Sequence, residues 1–172
     1  MSLINPKTLS LYNQSSPSNS IIISSSSSKL IKISFFFGTD GIRGSAGFAD
    51  SLLNPKLVQE IGVATGIVFK GQAEILIGRD TRKSGVEIEQ ALIAGLPSAG
   101  VNVTLIGVIP TPGLAHLVLT RKADAAIMIT ASHNPASDNG IKIFGSNGQK
   151  IADEIEQEIE QLIENKAQIK IS

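Results

Sequence analysis

The segment Thr130-Ala-Ser-His-Asn-Pro135 interrupts the apolar run Ala126-Ile-Met-Ile129 with a burst of polar and turn-forming residues. A surface turn needs only one or two of these. Ser132 stands at the centre of the burst, and three chemistries suit a serine so placed. A serine hydrolase needs a base within hydrogen-bond reach. His133 is a poor one, because adjacent side chains of an extended loop diverge. No G-x-S-x-G elbow is present, and His116 is the only other histidine. A structural serine would merely cap a turn. A phosphoryl carrier would need positive charge around it, since a phosphoserine bears about −1.5 to −2. Arg43, Lys142 or a metal ion could supply that charge.

Two further segments hold groups of the right type. Gly38-Thr-Asp-Gly-Ile-Arg-Gly44 spaces glycines at 38, 41 and 44 and matches neither a Walker A loop nor a dinucleotide fingerprint. Arg43 could fork onto a phosphate or be a surface arginine of a tight loop. Gly78-Arg-Asp-Thr-Arg-Lys-Ser-Gly85 offers Arg79, Asp80 and Arg82. An Asp–Arg pair that ties the loop to its neighbours is the favoured reading there, ahead of catalysis.

The elements that must position these residues alternate along the chain. Strands are expected at 33–37, 73–78, 101–107, 124–130 and 140–144. A helix opens at Pro55 behind Asn54 as N-cap, with Leu57, Ile61, Ala64 and Val68 at helical spacing. A second runs from about Gly85 to Ala99, with Ile88, Ala91, Leu92, Gly95 and Leu96 on one face. A third opens at Pro112. The last, 153–166, turns Ile155, Ile159, Leu162 and Ile163 inward and its glutamates to solvent. Near-continuous apolar strands and short connections predict an α/β fold. Its form is a three-layer α/β/α sandwich around a largely parallel mixed sheet. In such sheets, ligands gather beyond the carboxyl ends of the strands. The polar segments 38–44, 78–85, 107–113 and 130–140 each follow a strand, so all are expected in loops at that one edge.

Composition narrows the partners. Fifteen basic and fifteen acidic residues cancel, which leaves nothing to support nucleic-acid binding. The absence of cysteine removes thiol catalysis and disulfides. No apolar run approaches the ~18 residues of a membrane helix, so no membrane partner is expected, and the lack of cysteine fits the reducing compartment of an expected cytoplasmic location. Residues 1–34 are about one-third serine, carry Lys7, Lys29 and Lys32, and hold no acidic residue. They are expected to form a disordered Ser-rich tail. A transit peptide is the sharper alternative, weakened by the lack of arginine. Residues 35–172 are the expected domain.

Taken in order, Phe37-Gly-Thr-Asp-Gly-Ile-Arg-Gly44, Gly78–Gly85, Pro110-Thr-Pro-Gly113, Thr130–Pro135 and Asp138-Asn-Gly-Ile-Lys142 resemble the motifs of the α-D-phosphohexomutase superfamily. The first motif looks most like that of the phosphoglucosamine mutases, rather than the phosphomannomutases or phosphoglucomutases. The resemblance covers about residues 35–166 and implies the first domain of such an enzyme. It implies that Ser132 is phosphorylated and passes its phosphoryl group to a hexose phosphate through a bisphosphorylated sugar. Glucosamine 6-phosphate and glucosamine 1-phosphate would thereby interconvert, on the way to UDP-N-acetylglucosamine and cell-wall precursors. It makes Lys142 the general base, with His133 and Arg43 positioning the group, and Arg43 and Lys142 binding phosphate. It implies Mg²⁺ on a phosphoserine oxygen of Ser132, with the other ligands from a second domain, since no D-x-D-x-D run occurs here. Glucosamine 1,6-bisphosphate or glucose 1,6-bisphosphate would be the activator. The remaining domains would be needed in cis or in trans, and this chain alone is expected to be inactive. The alternatives are a phosphomannomutase or phosphoglucomutase of the same superfamily, and an isolated domain that binds a partner or phosphosugar without catalysis.

Overall fold

A computed structural model describes residues 37–38, 41–47 and 51–169. The expected tail and most of the strand expected at 33–37 lie outside the described residues. Phe37, the one described residue of that strand, is not in a strand. Five strands form one sheet: β1 (Ile42–Ser45), β2 (Glu74–Arg79), β3 (Asn102–Val108), β4 (Ala125–Ile129) and β5 (Asp138–Gly145). Their order is β1-β5-β4-β2-β3. β2 is parallel to both β3 and β4, while β5 is antiparallel to β4 and to β1. Four strands therefore share one direction and β5 alone opposes them, which is the largely parallel mixed sheet expected. The carboxyl ends of β1 to β4 and the start of β5 meet at one edge.

Four helices cover the sheet: α1 (Pro55–Phe69), α2 (Gly85–Gly95), α3 (Thr111–Arg121) and α4 (Asp153–Ile169). A 3₁₀ turn, Leu96–Ala99, extends α2. Alternation along the strands separates two cores. Ile75, Ile77, Ile127 and Ile129 join Val58 and Ile61 of α1, Ile88 and Leu92 of α2, and Ile159 and Ile163 of α4. Leu76, Ala126 and Met128 face the other way, onto Leu114 and Val118 of α3. Three helices thus lie on one face and a single helix on the other. No helix of the described residues is long and apolar enough to cross a membrane.

Local chemistry explains the starts of two helices. Asn54 Oδ1 accepts the Leu57 amide at 3.0 Å and Pro55 supplies the first helical residue, as expected. Ser84 precedes α2 without capping it, since its backbone is already helical rather than extended; its hydroxyl accepts a hydrogen bond from the buried Asn139 Nδ2 at 3.0 Å. Helices α1 and α2 meet through glycine. A Cβ on Gly95 would run into the carbonyl oxygen of Gln59 and lie 2.9 Å from Val63 N, and one on Gly62 would lie 2.9 Å from Leu92 O.

Helix α4 departs from the expectation. Not all of its glutamates face solvent: Glu156 and Glu160 are each only 6 % exposed. Each has a partner that draws it inward. Lys150 Nζ lies 2.9 Å from Glu156 Oε2, and the Phe37 amide donates to Glu160 Oε1 at 2.8 Å. Burial pushes the Glu156 carboxyl above its ordinary pKa, against the opposing pull of Lys150.

Candidate active site

The loop around Ser132 is made by a change of direction in the sheet. β4 is buried along its whole length and ends at Ile129. The chain turns through 131–137 and comes straight back as β5, with the Thr130 amide donating to Gly140 O at 2.9 Å. Gly140 is required by close approach. A Cβ there would stand 2.6 Å from Thr130 O and 2.8 Å from Ile42 O, so any side chain would wedge β5 away from both neighbours. Inside the loop, Asn134 N donates to Ala131 O and Asp138 N to Pro135 O, both at 3.0 Å. Asn134 Nδ2 donates to Asp138 Oδ2 at 3.1 Å.

Ser132 is exposed at the tip, with a left-handed φ of 55°. A non-glycine residue seldom adopts this conformation without support. Here the support comes from β2 and the loop that follows it. The Ser132 amide donates to Thr130 Oγ1 at 3.0 Å, and the Thr130 hydroxyl donates to Asp80 Oδ2 at 2.7 Å. Arg82 Nη2 donates to Ser132 O and to Asn134 O, each at 2.9 Å. Its Nη1 donates to Pro135 O and to Asp138 O. Its Nε donates to Asp80 Oδ2 at 3.1 Å, and Asp80 Oδ1 accepts the Arg82 amide at 3.0 Å. The Asp80–Arg82 pair therefore ties this loop to its neighbour, as the composition of 78–85 suggested. Arg79 points elsewhere and pairs with Glu89 of α2 at 3.5 Å.

The residues singled out from the sequence are brought together unevenly. Ser132 and His133 are both exposed on the one loop. Arg43 is not in a loop but in β1, opposite Gly140 of β5. Its Nη1 reaches Asn134 Oδ1 over 3.4 Å, which brings a guanidinium to the same loop. Lys142 is in β5, within the strand expected at 140–144. It lies opposite Met128, beyond the Thr130–Gly140 closure. Its neighbours Ile141 and Ile143 belong to the three-helix core, so its side chain leaves the sheet on the face that carries α3. His116 is exposed on α3. Sequence reasoning passed over Thr130 and Asn139. Thr130 carried a signal, since it is a hydroxyl two residues before a turn serine. Asn139 carried none, because only the fold buries it.

A model of phosphoglucomutase/phosphomannomutase, alpha/beta/alpha domain I, matches residues 35–170. Phosphoglucosamine mutase of Alcanivorax borkumensis is 50% identical over 136 residues, which are 78% of this chain and 30% of that protein. Phosphoglucosamine mutase of Ligilactobacillus salivarius is 52% identical over 135 residues, 76% of this chain and 29% of that protein. Among solved structures, a phosphoglucomutase/phosphomannomutase family protein from Burkholderia thailandensis superimposes with a TM-score of 0.61 at 31% identity. That match covers 73% of this chain and 29% of the other. The chain thus spans about 30% of the length of the curated relatives it matches.

Proposed function

Because the chain belongs to the phosphoglucomutase/phosphomannomutase family and contains its alpha/beta/alpha domain I, we propose that residues 35–172 form the phosphoryl-carrying part of a phosphoglucosamine mutase. Residues 1–34 form a separate tail in this reading. The observation that carries it is Ser132: an exposed hydroxyl on a left-handed residue, at the sheet edge where the ends of four strands converge.

In the proposed reaction the Ser132 Oγ–P bond breaks as a hydroxyl oxygen of a hexose monophosphate bonds to phosphorus. The hydroxyl proton passes to Lys142, and the bisphosphorylated sugar later returns its other phosphoryl group to Ser132. Arg43 and His133 hold the transferring group, so the chemistry rests on positioning and charge. Glucosamine 6-phosphate and glucosamine 1-phosphate are the substrate pair in this reading, because relatives 50–52% identical to this chain are phosphoglucosamine mutases. A sugar 1,6-bisphosphate primes the serine. A cytoplasmic enzyme of amino-sugar metabolism follows from the same reading.

Magnesium belongs to the reading, and it would shield the charge on the transferring phosphoryl group. The residues described here do not make a site for it by themselves. No three His, Asp or Glu side chains among them are arranged to hold a metal ion, and Asp138 Oδ2 is engaged by Asn134. This chain would offer the ion a phosphoserine oxygen, with the rest of the site supplied by what completes the relatives' length.

The test is phosphate labelling. The chain is incubated with labelled glucose 1,6-bisphosphate and a chain carrying the residues that follow the matched region in the Alcanivorax borkumensis relative. Label on Ser132, its loss in Ser132→Ala, and no turnover of glucosamine 6-phosphate by the 172-residue chain alone are expected. Label on Ser24–Ser28 instead would overturn the assignment.

A further inference from the structure

The sequence Asp80-Thr-Arg82 beside a phosphoryl-carrying loop invites the view that Arg82 binds phosphate. The geometry points to a different role, and we propose that Arg82 is a positioning residue that sets the direction of the Ser132 hydroxyl from beneath the loop. A guanidinium has five N–H donors. All five of Arg82 are spent: one on Asp80 Oδ2, two on the carbonyls of Pro135 and Asp138, and two on those of Ser132 and Asn134. No donor remains for a ligand. Four carbonyl oxygens of one short loop aim at a single planar cation, and without it they would repel one another. Lysine cannot replace this arrangement, since it offers three donors from a point and no plane.

The clamp acts on the backbone that carries the nucleophile. Arg82 holds the Ser132 carbonyl, and Asp80, through the Thr130 hydroxyl, holds the Ser132 amide. Both peptide groups that flank the left-handed Cα are therefore anchored to the Asp80–Arg82 pair, which fixes the Cα–Cβ direction and so restricts Oγ to the few staggered positions around it. A carrier serine must meet phosphorus in line, and a misplacement of about 1 Å can cost about 100-fold in rate.

The consequence for transfer rests on the mutase reading above, whereas the clamp itself does not, so the experiment has two arms. In the first, amide hydrogen exchange is followed on the 172-residue chain and its Arg82→Lys variant. The Asn134 and Asp138 amides should exchange about tenfold faster or more in the variant, while those of β2 and β4 stay slow. Unchanged exchange in the loop would overturn the clamp. So would loss of the slow amides of β2 and β4, because Arg82 would then serve the whole fold rather than one loop.

In the second arm, labelling of Ser132 from glucose 1,6-bisphosphate is timed with the complementing chain. The Ser132 Oγ–P bond forms, the donor's P–O bond to its sugar breaks, and the serine proton ends on the released sugar oxygen. Arg82→Lys should lower the rate at saturating donor by about 100-fold and leave the half-saturating donor concentration in place. Methylguanidinium, but not methylammonium, should restore part of the rate to Arg82→Ala. A raised half-saturating concentration at an unchanged maximal rate would make Arg82 a donor-binding residue and overturn the proposal. If the parent chain takes no label, the mutase reading fails and the exchange arm alone decides the clamp.

Discussion

The Ser132 loop and the α1–α2 contact are both tightly held, by opposite means. The loop is exposed, and a lattice of directed hydrogen bonds from one arginine and one aspartate orders it. The helix pair is buried, and bare backbone meeting bare backbone at Gly62 and Gly95 orders it. In the first region order comes from groups present, and in the second from groups absent. Deletion should therefore harm the loop, and addition should harm the helices.

Gly95→Val tests the helix side and should have the largest effect. Its Cβ would meet the backbone of Gln59 and Val63 rather than flexible side chains. A loss of about 3 kcal/mol or more is expected in urea unfolding. A near-native midpoint would show that the helices can part cheaply and that the contrast is false.

Asp80→Asn tests the loop side at intermediate cost. The carboxylate accepts bonds from Arg82 N, Arg82 Nε and Thr130 Oγ1, and an amide presents only one acceptor oxygen to them. A loss of about 1–2 kcal/mol is expected from the same unfolding measurement. A larger loss than that of Gly95→Val would reverse the ranking of the two regions.

The smallest effect sharpens the contrast by looking at a polar group inside an apolar face. Burial raises the Glu156 carboxyl, so the folded chain holds that proton more tightly than the unfolded chain does. Its contribution to stability is then lost as pH rises from about 4.3, the ordinary glutamate value, through the raised one. Glu156→Gln should flatten that part of the pH–stability curve. At neutral pH it should shift stability by less than about 1 kcal/mol, since Lys150 keeps Asp153 at 3.7 Å. Urea midpoints measured across pH check this, and an unchanged slope would assign it to another carboxylate.

What could be read from the sequence divides along similar lines. Helix α1 was legible because Asn54-Pro55 and the three-to-four spacing after it are local signals, and the cap bond formed as those residues dictate. The Asp80–Arg82 pairing was legible for the same reason. Strand β1 was not. It has four residues, one of them Gly44, and only its pairing with β5, nearly a hundred positions away, makes it a strand. Arg43 was thus placed at the right edge of the sheet but in the wrong kind of element. The buried glutamates of α4 escaped for a related reason. Helical spacing marks where the apolar residues go, whereas Lys150 and the Phe37 amide decide which acids follow them inward. The four carbonyls that accept from Arg82 carry no side-chain signature at all.

The left-handed backbone at Ser132 also limits which residue the position can use. Threonine carries the same hydroxyl and would accept a phosphoryl group by the same chemistry. Its branched β-carbon fits poorly at a φ of 55°, where bulky or branched side chains crowd the neighbouring carbonyl. Two alcohols that are interchangeable on an extended strand are unequal here. The shape of the main chain therefore selects between them before any substrate arrives.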